Sequence, residues 1–157
     1  MARKHIAPAP TGDATARAII AGGLAWLLPG LGHWYLGHKH RAIIFLIVTS
    51  VTFWAGVAIG GVRTTVTPRD NGPWIAAQLC MGPQALVALY MSNNLALDAI
   101  KAGEPNKYKA SWPSSNISVV YAGIAGMLNV LVMIDAIARA DGSAHKEDAR
   151  PPPAQGT

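Results

Sequence analysis

Three imidazoles within eight residues, His33, His38 and His40, are the side chains in this chain whose type and spacing come closest to a reactive or metal-binding site. Imidazole is the commonest metal ligand and the one side chain that ordinarily titrates near neutral pH. A closed zinc-type site, however, asks for four ligands in tetrahedral array, commonly including thiolate. The three histidines make no i,i+4 pair, no carboxylate is near them in sequence, and Lys39 and Arg41 between and beside them repel a dication. The single cysteine, Cys80, lies in a distant apolar stretch, where a small buried hydrophobe is the expected role. No tightly bound metal and no cofactor is expected. His33 is expected to bond a backbone group freed by Pro29, and His38 to Arg41 to form a basic connection facing lipid headgroups. One route to a site stays open, in which Asp98 or Asp135 reaches the histidines from another helix end.

Asp135 stands four residues before Arg139, the spacing of an ion pair on one helix face. That structural role is expected rather than a proton relay. Gln78, Gln84 and Asn129 are amides inside apolar stretches, and such groups seek partners on other helices. No phosphate-cradling glycine loop, nucleophile elbow or zinc pattern is present, so no catalytic residue is assigned and the protein is not expected to be an enzyme.

The elements that carry these residues follow from the charge distribution. All 21 Asp, Glu, Lys and Arg residues fall outside residues 18–38, 42–62, 71–97 and 110–134. A soluble helix needs a solvated face, whereas a bilayer core about 30 Å thick needs roughly 20 apolar residues in a row. The expected fold is therefore all-α, a polytopic membrane bundle of about four transmembrane helices. It has a polar tail over residues 1–16, a helical domain over 17–140 and a disordered tail over 141–157, where Pro151, Pro152 and Pro153 lie. The first apolar stretch, kinked at Pro29, either spans or dips in and returns, and spanning is expected. Gly30, Gly32 and Gly37 loosen its second half, and Trp34 and Tyr35 are interfacial anchors.

The second helix ends near Val62 and carries Gly56 and Gly60, a small-xxx-small pair suited to close approach by another helix of the same chain or by a second copy. The third, about 73–93, opens on an Asn71-Gly72-Pro73 turn and is expected to kink at Pro83 and to face the bundle interior. The fourth, about 117–138, follows a capping stretch from Trp112 to Asn116, with Gly142 available to end it. A cleavable signal peptide is not expected, because no small-residue cleavage site follows the first apolar run.

A net charge of +5 raises the question of nucleic acid. The basic residues are spread over every connection with no stripe, so anionic headgroups are the expected partner and nucleic acid is not. With four spans, eight Lys and Arg fall on the side of the termini and five on the other, which favours cytoplasmic termini in a bacterial inner membrane.

The run from Pro29 to Phe45, PGLGHWYLGHKHRAIIF, resembles the core of the two-transmembrane-helix (TM-two) domain. That family has a glycine-rich first helix, an aromatic-Leu-Gly motif, a short basic connection and a second helix. The resemblance covers about residues 17–62. The whole chain also resembles a small uncharacterised bacterial family of four-segment proteins, whose closing helix is like Ala125 to Ile137. These resemblances imply a membrane hairpin and carry no catalytic activity.

Two classes of function remain. Small size, close-packing glycines and the lack of clustered intramembrane charge point to a non-enzymatic component that packs against a membrane partner or itself. The alternative is a small oligomeric transport, permeation or ligand-sensing protein lined by Gln78, Gln84, Asn129 and the His33 region. A polar cavity or a dry core would separate them.

Overall fold

The computed structural model describes residues 12–67, 72–110 and 113–148, with side chains described as far as Gly142. The stretch up to Thr11, the Asn71 turn, Trp112 and the Pro151–Pro153 tail lie outside the described residues. The described chain is helical: α1 (Gly12–Leu27), α2 (Leu31–Tyr35), α3 (Lys39–Gly60), α4 (Val62–Thr65), α5 (Gly72–Leu79), α6 (Pro83–Lys101) and α7 (Ser114–Asp148).

Two of these, α3 over Lys39–Gly60 and α7 over Ser114–Gly142, are long and apolar enough to cross a membrane. They are antiparallel, and they are joined along seams of small residues. On α7 the buried positions Ser118, Ala122, Ala125, Asn129, Val132, Ala136 and Ala140 recur every three or four residues, the period that keeps one face on a neighbour. On α3, Gly56 and Gly60 lie against Ser118 and Ala122, where a β-carbon at Gly56 would stand 2.9 Å from Ser118 O. The small-xxx-small face is therefore occupied by α7 of the same chain.

The two remaining apolar stretches are each broken by a reversal, so among the described residues two helices, where the sequence predicts about four, are long and apolar enough to cross. Helix α1 runs antiparallel to α7, with Ala21 and Ala25 packed against Ala136 and Ala140. It stops at Leu27 because Pro29 has no amide hydrogen and disfavours helix at Leu28. Gly30 then adopts φ 89°, a left-handed turn open to glycine, and α2 folds back so that Gly32 touches the Ala21 carbonyl. From Ala18 to Leu27 the apolar part of α1 is only about 15 Å long, half of a bilayer core. The chain returns to the end of α3 where it began, and Gly30 meets Ala42.

The third stretch behaves likewise from the other end. Trp74, Ala77 and Cys80 descend past Gly123, Gly126 and Asn129 of α7 in turn. The chain breaks at residues 80–82, with Gly82 at φ 66° and Pro83 in the first turn of α6. Helix α6 climbs back, Gln84 bonding Ser50 and Ser92 lying 3.4 Å from Thr67, to the end of α3 where Arg63 binds the Pro105 and Lys107 carbonyls. Pro83 thus marks a reversal, where the sequence predicts a kink. The two apices meet, Gly82 lying against the Trp26 carbonyl. Pro29, Gly30, Met81 and Gly82 are all buried, as irregular backbone must be if water is absent.

Other boundaries shift as well. Helix α1 begins at Gly12 and α7 continues past Gly142 to Asp148. A lone glycine costs about 1 kcal/mol in a helix, and the flanking Ala, Arg, Lys and Glu are helix formers, so nothing forces a stop there.

Candidate functional site

The turned-back α2 carries His33 into the interior, where the ring is fully buried. Its Nε2 donates to Asp135 Oδ2 at 2.8 Å, and the ring packs edge-on against Phe45 with centroids 4.8 Å apart. Arg139, one turn along α7, donates from Nε to the same Oδ2 at 2.8 Å. The hook is thereby tied to α7 by a carboxylate and packed on α3 through Phe45, rather than held by the backbone group freed by Pro29. An imidazole facing a carboxylate across elements gains a charge-assisted bond that no local carbonyl offers. Its Nδ1 is buried without a partner.

His38 and His40 are exposed and do not join His33. With Gly37, Lys39 and Arg41 they line a surface depression of about 410 Å³ at the start of α3. Lys39 also lies 6.0 Å from the ring of exposed Trp34. Tyr35 is exposed nearby, and Gly37 adopts φ 82° with open space around it. Among the described residues no three His, Cys, Asp or Glu side chains converge as a metal centre.

The amides join the second hook to the helices around it. Asn129, fully buried, donates to Cys80 O at 2.8 Å across the broken end of α5. Gln78 donates to Thr65 O at 2.9 Å and leans on Val119 O at 3.4 Å. Gln84 donates to Ser50 at 2.8 Å and accepts from Trp54 Nε1 at 3.1 Å. Gln78 Oε1 and Asn129 Oδ1 are buried without partners. Around them Phe53, Val57, Met81, Ala85, Ala88, Ala122 and Ala125 form a filled apolar core. A separate side groove of about 310 Å³ opens between α3 and α7, lined by Phe45, Val48, Thr49, Leu128, Leu131 and Val132 and closed at one end by Asp135.

All of this lies within one matched segment: residues 20–149 fit a family of unknown function, DUF6677. The chain belongs to that family. No curated protein and no solved structure matches it. The family match takes in His33, Asp135, Arg139 and both hook apices, and it is not a match to the TM-two domain. Residues 17–62 build a hook and one long helix. The route that the sequence leaves open, a carboxylate reaching the histidines from another helix end, is taken by Asp135, which meets His33 across 102 residues. The expected role of Asp135, a pair with Arg139, is present beside it.

The link makes a direct prediction. Asp135→Ala should destabilise the protein by about 1–3 kcal/mol, because a buried imidazole donor loses its acceptor. The His33→Leu, Asp135→Leu double variant should cost clearly less than the sum of its single changes, since neither partner is then stranded. Thermal unfolding in detergent measures both, and additive costs would show that the two side chains are not coupled.

Proposed function

We propose that this is a multi-pass integral membrane protein of a bacterial cytoplasmic membrane, a non-enzymatic structural or assembly component built from two crossing helices and two hooks that enter from opposite faces. The observation that carries this reading is the outer surface. Ile44, Ile47, Val48 and Val51 on α3, Leu86, Val87 and Tyr90 on α6, and Met127, Leu131 and Ile134 on α7 are all exposed. Soluble monomers rarely expose an apolar patch of more than a few hundred Å². Inside, the polar side chains are engaged mainly in joining helices, and the core between them is packed with small residues. Such a body presents surfaces to lipid and to a membrane partner, while Lys39 and Arg41 suit anionic headgroups.

The experiment is purification of the full chain in mild detergent from carbonate-washed membranes, followed by identification of co-purifying proteins and of its oligomeric state. A stoichiometric membrane partner or a defined homo-oligomer is expected. Extraction by carbonate would overturn the membrane reading, and a monomer with no partner would overturn the assembly reading.

A second reading, transport or permeation, draws on the unpartnered His33 Nδ1, Asn129 Oδ1 and Gln78 Oε1, which are staggered through the interior. A file of water along them would need these acceptors. Proteoliposomes loaded with a pH-sensitive dye test it, and proton flux abolished by Asn129→Leu would favour it over the assembly role.

A further inference from the structure

The side groove has one polar end, and the chemistry of that end is unusual. Asp135 Oδ2 accepts from both His33 and Arg139, so Oδ1 is left without a hydrogen-bond partner among the described residues. The carboxylate is 36% exposed and lines the groove. Thr49, the groove's other polar side chain, spends its hydroxyl on the Phe45 carbonyl at 2.6 Å. Thr49 is buried, so an occupant meets apolar walls and one exposed acceptor group, the Asp135 carboxylate.

The charge at this end narrows the occupant. The Arg139 guanidinium is bonded to the same carboxylate and weakens its draw on a cation. An anionic headgroup would set its own lone pairs against Oδ1. A neutral hydroxyl suits both conditions, and a hydrogen bond to a charged acceptor is among the stronger ones. Depth narrows it further. Asp135 is level with Phe45, which lies about 9 Å along α3 from Lys39, so the donor must be joined to the alkyl chain with no phosphate between.

We propose that this groove binds diacylglycerol, the hydroxyl donating to Asp135 Oδ1 and one acyl chain lying along Val48, Leu128 and Leu131. The proposal rests on the membrane reading above. Its test uses the full chain in phosphatidylcholine nanodiscs containing diacylglycerol with a photoreactive diazirine in one acyl chain, and cross-linked peptides are mapped by mass spectrometry. Labelling should concentrate on residues 45–49 and 128–132 over the equally lipid-facing Leu86 and Val87 of α6. Unlabelled diacylglycerol should compete, and its O-methyl ether should compete about tenfold less well, the effect of losing one such bond. Leu131→Trp, at the exposed mouth, should suppress the labelling while leaving the unfolding temperature unchanged.

Even labelling of α3, α6 and α7, or equal competition by the methyl ether or by phosphatidylcholine, would overturn the site alone. Failure of the protein to remain in carbonate-washed bilayers would overturn the membrane reading and the site together.

Discussion

Gly32→Leu and Gly126→Leu will each abolish recovery of monodisperse protein, while Gly23→Leu will leave it near the wild-type level. A side chain at Gly126 is driven into the Ala77 carbonyl of the second hook, and one at Gly32 into the Ala21 carbonyl of the first. Backbone cannot swing aside as a flexible side chain can, so each hook must separate from its neighbour. Overpacking of this kind costs about 3 kcal/mol or more, a large share of a typical folding free energy of about 5–15 kcal/mol. Gly23 has nothing within 4 Å of an added β-carbon and serves as the control. Gly37→Leu meets no obstacle either, but its φ of 82° makes a side chain there cost about 1–2 kcal/mol, and Gly37→Asn should recover most of that. Size-exclusion profiles and unfolding temperatures read the series. Gly32→Leu folding normally but losing a partner would show that the hook is a binding surface instead of a packing device.

The all-helical content and the two long helices were legible because they rest on properties of the chain itself. Lys39 to Gly60 is continuous, apolar and free of proline, and its sequence boundaries agree closely with α3. The reversals were legible only in part: at Pro29 the sequence allows a span or a dip and return, with the span expected, and at Pro83 it suggests only a kink. Pro29-Gly30 and Gly82-Pro83 each say that a helix is interrupted, and a kink and a hook share that local signature. What separates them is whether another element fills the space beyond the break. At Gly30 that element is Ala42, and at Gly82 it is Trp26, a contact between apices more than fifty residues apart. The site divides along the same line. Asp135 and Arg139, four residues apart, are joined as helical spacing suggests. His33 was grouped with its sequence neighbours His38 and His40, yet the reversal at Gly30 turns it inward while the other two stay at the surface.

A single-cysteine experiment will place residue 40 on the same side of the membrane as residue 142, and residue 101 on the other. In the proposed arrangement only α3 and α7 cross. The His38–Arg41 connection therefore shares a side with both helix ends that flank it, the start of α1 and the end of α7. Four crossings would instead pair residue 40 with residue 101. A fusion at Thr157 compared with one at Gly103 cannot separate the two arrangements, since both put those points on opposite sides. Charge cannot separate them either. Moving Lys39 and Arg41 to the side of the termini, and Arg63 and Arg69 away from it, leaves the Lys and Arg count at eight against five. His40→Cys, Lys101→Cys and Gly142→Cys, each at an exposed position in a Cys80→Ser background, supply the needed contrast. A membrane-impermeant maleimide applied to right-side-out and inverted vesicles should label His40→Cys and Gly142→Cys in one preparation and Lys101→Cys in the other. His40→Cys labelling together with Lys101→Cys would mean that the first stretch crosses, and the packing of Gly32 on Ala21 would then have to be abandoned along with the hook.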